Sequence, residues 1–203
     1  MTSKEYRALR HSIDRVKGIL ARVPHSECLT ALHHLKVQSF TLLAHAAFEE
    51  YLENIVRAAA RDAMRELRKS GRISEVLTSL IATEAMAQVD GARPRRKISG
   101  SLAGDVKGFA REAVNSFERD IESNHGIRHE NQRTLLLPIG IDPEELDLVA
   151  FNALDSFGRR RGAIAHRVMI RTEETRSSAT SEVETIVRAL RSYDLEVMRL
   201  RGS

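Results

Sequence analysis

The sequence predicts an all-α protein, a helical bundle of about five to six helices built around one long central helix. Two observations predict it. Apolar residues recur at steps of three and four almost throughout the chain, and no clear alternating run of the kind a sheet requires interrupts them. Helix starts and stops then punctuate that pattern at plausible intervals. With 203 residues, 42% hydrophobic and 30% charged, the chain can hide on the order of 70% of its unfolded surface in one core. It is neither disordered nor fibrous in composition. Apolar runs such as Leu135 to Leu137 fall far short of the roughly 18 residues a membrane span needs. The start, Met1 to Arg7, carries no apolar segment of the secretory type, and a lone Cys28 excludes an internal disulfide. A cytoplasmic protein is the expectation.

Leu9, Ile13, Val16, Leu20 and Val23 mark a first helix over about 4–23 that stops at Pro24. Ser26 and Glu27 suggest the cap of a much longer helix running to Lys69, with Leu32, Leu35, Leu42, Ala46, Val56, Ala60 and Leu67 as its stripe and Gly71 as its stop. Such a helix would exceed about 50 Å and form the spine of the fold. Ser74 to Gln88 reads as a shorter helix, and Asp90 to Ser101 as a polar, basic loop. Leu102, Val106, Phe109, Ala113, Phe117 and Ile121 mark the next helix, ended by Gly126. Ile127 to Ile141 reads as irregular, yet it is apolar enough to pack onto the bundle. Asp142-Pro143-Glu144-Glu145 is a strong start for a helix that turns Leu146, Val149, Ala153, Phe157 and Ile164 inward. A break near 167–172 follows, where Val168 and Ile170 alternate. Ser181 with Glu184 then suggests a capping box for a last helix, with Val183, Val187, Leu190, Tyr193, Val197 and Leu200 buried.

The charge balance favours an anionic partner. Of the 32 basic residues 26 are Arg, and Arg forks bind phosphate bidentately, although genomic base composition alone accounts for such ratios. Between Arg159 and Arg171 there are five Arg, one His and no carboxylate, and a second basic run spans Arg93 to Lys97. Each run by itself is compatible with a solvated face.

Most enzyme signatures are absent. No glycine-rich phosphate loop and no Gly-x-Ser-x-Gly elbow occurs. Cys28 reads as a small core or boundary residue. His33, His34 and His45 share the long helix without metal-binding spacing. The segment Phe157-Gly158-Arg159-Arg160-Arg161-Gly162-Ala163-Ile164-Ala165-His166-Arg167 contains Arg161-x4-His166. As a bare pattern, Arg-x(4–6)-His is uninformative, since about three matches arise by chance in a chain this rich in Arg. Four occur: three end at His166, and the fourth, Arg119-x5-His125, reads as a chance match without a catalytic role.

Context gives the pattern weight. Asn124-His125-Gly126-Ile127, the apolar Leu135-Leu136-Leu137-Pro138-Ile139-Gly140-Ile141, and the helix ending in Arg161-Gly162-x-x-Ala165-His166 occur in that order. They resemble the RiboL-PSP and related bacterial HEPN domains, as does Phe48-Glu49-Glu50-Tyr51-Leu52 on the long helix. The resemblance covers about residues 28–200 of a single domain over 1–203 and leaves the first helix as an extension. The chain departs from the family pattern at Gly162, where many active HEPN nucleases carry a polar residue. Either that role is dispensable, or Arg160 is the family arginine, or activity is lost; Arg161 is the preferred reading.

What the resemblance implies is a metal-independent endoribonuclease without a cofactor. Two Arg161–His166 motifs would face each other in a homodimer, cleave RNA through its 2′-OH and leave a 2′,3′-cyclic phosphate. Arg161 and His166 would be catalytic, Arg159, Arg160 and Arg167 would bind RNA, and Glu49 would support the site or serve as a structural, paired carboxylate. A bacterial toxin–antitoxin or antiphage setting, with an antitoxin or other defence protein as partner, is implied as well. The alternative is a non-catalytic HEPN module that binds RNA, a nucleotide or a partner protein. At 4% aromatic residues there is little surface for base stacking, so nothing in the chain names a particular RNA.

Overall fold

The computed structural model describes residues 1–90, 98, 100, 103–166 and 174–202, with the side chains of 89, 90 and 163–166 excepted. Among these residues it is all-α, with eight α-helices: α1 (Lys4–Lys17), α2 (Ala31–Ser70), α3 (Glu75–Asp90), α4 (Val106–Glu122), α5 (His129–Leu136), α6 (Pro143–Leu146), α7 (Leu148–His166) and α8 (Arg176–Gly202). The 40 residues of α2 correspond to a rod of about 60 Å, and α1, α3, α4, α7 and α8 all pack against it.

Local chemistry sets the ends of these helices. Thr30, not Ser26, caps α2: its Oγ1 accepts from the His33 N–H at 3.2 Å. Gly71 closes the helix in the left-handed region (φ 77°), as expected of a Gly there. The buried stripe is rotated from the expected one in the first half of α2. Leu32 and Leu35 stand 60% and 46% exposed, while Val37, Phe40, Ala44, Phe48 and Leu52 fill the core. The 3.6-residue period of a long helix lets two stripes compete, and contacts with α7 and α8 decide between them.

Three further expectations are corrected. The stretch after Gly126 is helical, as α5 followed by a 3₁₀ turn over Leu137–Ile139, and it buries Leu135, Leu136 and Ile139 completely. Asp142 and Pro143 open only the four-residue α6; the chain restarts at Asp147, whose Oδ1 accepts from Ala150 N–H, and Val149 is 71% exposed. Ser181 lies inside α8, which begins five residues earlier, beside a knot of hydrogen bonds between Thr175 and Ser178. The basic loop around Arg93 to Lys97 and the break at 167–172 lie outside the described residues.

A buried polar thread ties the later helices together. Gln132 donates from Nε2 to the carbonyls of Ile127 and Phe151, both at 3.0 Å, and its Oε1 accepts from Tyr193 Oη at 2.9 Å. All three partners are buried, so each lost bond would leave a desolvated polar group and cost about 1–3 kcal/mol. This thread holds the end of the turn after α4 against α5, α7 and α8. At the opposite end of the chain, Ser3 hydrogen-bonds Asp194 through both its N–H and its hydroxyl, and Tyr6 Oη donates to Val187 O at 2.8 Å, so α1 is fastened to α8. No helix among the described residues is long and apolar enough to cross a membrane.

Candidate functional site

One face of α2 breaks the apolar pattern with His45, Glu49 and Glu53, spaced i, i+4 and i+8 and therefore stacked along the helix. His45 is only 3% exposed and lies parallel to the Phe157 ring of α7, with centroids 6.5 Å apart. Its Nδ1 is 3.7 Å from Glu49 Oε2. Burial, reinforced by the charge of Arg161, pushes the imidazole down to about 4, so it is neutral at pH 7. Burial pushes the Glu49 carboxyl up and the neighbouring Glu53 adds to this, while Arg161 and His125 pull the other way. Those four influences place His45, Glu49, Arg161 and His125 in one electrostatic neighbourhood.

The turn between α4 and α5 covers this face. Asn124 is buried, and its Nδ2 donates to Glu53 Oε1 at 3.0 Å and to Gly126 O at 3.1 Å. Its Oδ1 accepts from Asn131 Nδ2 at 3.0 Å, and Asn131 Oδ1 accepts in turn from the Arg128 N–H at 3.1 Å. A Cβ at position 126 would stand 3.0 Å from Asn131 Oδ1, so glycine lets this network close. Ile127 anchors the turn in the core at 0% exposure, and His125, between the two anchors, is left exposed.

From the other side α7 supplies the arginines. Successive residues of a helix point about 100° apart, so Arg159, Arg160 and Arg161 cannot all face one cleft. Arg159 pairs with Asp155, Nε to Oδ2 at 2.5 Å, and the same buried carboxylate accepts from Arg128 Nε at 3.4 Å and from the His129 N–H at 3.2 Å. Burial alone would raise the Asp155 carboxyl, but the Arg159 hydrogen bond, the His129 N–H and the charges of His129 and Arg159 outweigh it and hold it low. Arg160, expected to bind RNA, turns the opposite way: it pairs with Glu182 of α8 and with Glu174 at 3.9 Å, and its guanidinium lies 5.8 Å from the Phe157 ring centre. That commitment separates Arg160 from the cleft, while Arg161 lines it.

Arg161 is exposed and forms no ion pair within 4 Å among the described residues. It borders a cavity of about 280 Å³ together with His45, His125, Arg128, Arg159, three glycines and Asn131. Of the expected site residues, Arg159 and Arg161 therefore line one cleft, and Glu49 lies within electrostatic reach of Arg161. His166 ends α7, which runs unbroken through Gly162, and its side chain lies outside the described residues, as does all of Arg167. The signals missed in the sequence are His45 and His125. In the sequence the first lacks metal-binding spacing, and the second stands only in an Arg-x5-His match of the kind chance produces.

Among the described residues the cleft thus offers a guanidinium without a carboxylate partner and two imidazoles, a set suited to an anion whose protons must be moved. No curated protein and no solved structure shows a significant match to the chain. A family model, RiboL-PSP-HEPN, does match, over residues 31–193, a span that takes in α2 through most of α8 and every residue of the cleft. The chain belongs to the RiboL-PSP-HEPN family.

Proposed function

We propose that this protein is a metal-independent endoribonuclease that cleaves RNA through the ribose 2′-OH, acting as a homodimer in a bacterial toxin–antitoxin or antiphage system. The observation that carries this reading is the difference between three adjacent arginines. Arg159 and Arg160 pair with Asp155, Glu174 and Glu182, whereas among the described residues Arg161 meets no carboxylate within 4 Å and lines one cavity with two histidines. An unpaired guanidinium in a cleft is a site for a phosphate.

In this mechanism an imidazole takes the proton of the 2′-OH, O2′ bonds to phosphorus, and the bond to O5′ breaks as that oxygen gains a proton. Arg161 holds the non-bridging oxygens and steadies the charge that grows on them. His166 supplies an imidazole whose ordinary pKa near 6.5 suits proton transfer at neutral pH. On an unbroken α7 the Cα positions of Arg161 and His166 are about 140° apart around the helix axis. The two residues therefore meet one phosphate most readily when two copies of α7 face each other. DNA lacks the attacking hydroxyl and is not a substrate.

The test is purified protein on single-stranded RNA with EDTA present, reading both rate and end chemistry. Arg161→Ala and His166→Ala are each expected to slow cleavage by about 10²–10⁴-fold, and wild-type products should carry a 2′,3′-cyclic phosphate and a 5′-OH. Wild-type rates from His166→Ala, or cleavage that disappears with the metal, would overturn the reading in favour of a non-catalytic RNA-binding module. A small antitoxin or nucleotidyltransferase gene beside this one would support the defence setting.

A further inference from the structure

The turn between α4 and α5 is built to hold one side chain over the cleft. Asn124 is tied to Glu53 of α2 and to the Gly126 carbonyl, and Ile127 is anchored in the core, which fixes the backbone on both sides of His125. His125 is not part of that scaffold. It is exposed and lines the same cavity as Arg161, within electrostatic reach of Glu49. A surface histidine with no packing role, lining one cavity with an arginine that has no carboxylate partner among the described residues, is placed for a ligand rather than for stability.

The other imidazole at the cavity does not fill this role. His45 is buried against Phe157 and stays neutral at pH 7, so it has no proton to give there. Among the described residues, a phosphate on Arg161 therefore has one solvent-connected imidazole lining the same cavity, and that imidazole can recharge from water after each turnover.

We propose that His125 is the general acid of the cleavage, protonating the departing 5′ oxygen of the phosphate held by Arg161 of the same protomer. This rests on the ribonuclease reading above. In the step, the 2′-OH proton goes to the base, the O2′–P bond forms, the P–O5′ bond breaks, and the electron pair left on O5′ takes the proton of the His125 imidazolium. The base of that reading is His166, which His125 complements and does not replace.

A leaving group that needs no proton separates this role from binding or folding. The experiment compares wild type, His125→Ala, His125→Gln and Arg161→Ala on two substrates, an ordinary oligoribonucleotide and one with sulfur in place of the bridging 5′ oxygen at the cleaved bond. Both His125 variants are expected to lose about 10²–10⁴-fold on the ordinary substrate and to cleave the sulfur-bridged one close to the wild-type rate. Arg161→Ala should be slow on both. Wild-type rates from the His125 variants on ordinary RNA would overturn the proposal, and so would equal losses on both substrates, which would mark His125 as a binding or structural residue. If wild type cleaves neither substrate, the ribonuclease reading itself fails, and this assignment with it. Thermal melts of both variants, expected within a few degrees of wild type because position 125 is exposed, report on folding.

Discussion

At the scale of single residues, the cleft is set by where burial stops. His45 and Glu49 are one turn apart on α2, and burial acts on them with opposite sign: it lowers the imidazole to about 4 and raises the carboxyl. Stability should record this. The unfolded chain protonates His45 near pH 6.5 and the fold resists doing so until about pH 4, so the unfolded state binds more protons across that interval. The contribution of His45 is thus fully present above about pH 6.5 and is lost as pH falls towards 4, by about 2 kcal/mol on reaching pH 4.5. Glu49, raised in the fold, gives a slope of opposite sign and is common to both proteins compared. Urea unfolding of wild type and His45→Leu at pH 7 and pH 4.5 should show the variant losing about 2 kcal/mol less. Parallel losses would mean that the imidazole is not held neutral. His45 was hidden in the sequence because a helix stripe does not say which polar member is buried. His125 was hidden because Arg161, which lines the same cavity, is brought to it by the fold and not by spacing.

At the scale of elements, the close approach of α7 to the turn after α4 is what forms the cleft, and two glycines of α7 show it. A Cβ at position 158 would lie 3.0 Å from Arg128 Cγ and 3.3 Å from Ile127 Cγ1, and Ile127 is fully buried and has nowhere to retreat. Among the described residues nothing stands within 4 Å of a Cβ at position 162. Gly→Ala in a helix ordinarily gains about 1 kcal/mol. Gly162→Ala is expected to realise most of that gain, while Gly158→Ala should forfeit it to the crowding, end less stable than Gly162→Ala, and reduce cleavage by shifting the turn that carries His125. Denaturant midpoints of the two variants decide this, and equal stabilisation would show that α7 has room to spare at position 158. Much at this scale was legible beforehand: α2 as a spine, the stop at Gly71, the start at Asp142-Pro143 and the stripe of α8 from Val183 to Leu200 all rest on local patterns. The missed pieces were short or capped by unexpected residues. α5 is an eight-residue helix whose N-cap is Arg128, where the Asn131 side chain reaches back to the cap N–H, an arrangement no simple capping rule anticipates.

At the scale of the whole molecule, the order of elements matters more than net charge, which is only +4. α2 carries His45 and Glu49, the turn after α4 carries His125, and α7 carries Arg161 on one side and Arg160 on another, so the bundle sorts an apparently uniform run of arginines into an ion-paired member and one that lines the cavity without a carboxylate partner among the described residues. The same helix geometry that separates Arg160 from Arg161 separates Arg161 from His166 by about 140°, and this leads to the last prediction. If the site is assembled from two protomers, each 22.8 kDa chain contributes an incomplete set. The protein is then expected to sediment at twice that mass, and dilution below the dissociation constant should reduce activity per chain. Mixing two inactive proteins tests the assembly directly. Arg161→Ala retains its own histidine and His166→Ala its own arginine, so a heterodimer presents one arginine and one histidine to the shared cleft, where each parent homodimer lacks one kind entirely. Subunit exchange between the two variants should therefore restore a measurable part of the wild-type rate, with recovery tracking the fraction of heterodimer. A site complete within each chain could not be rescued in this way, because neither chain holds both groups, and a mixture no more active than its parents would rule out the shared cleft.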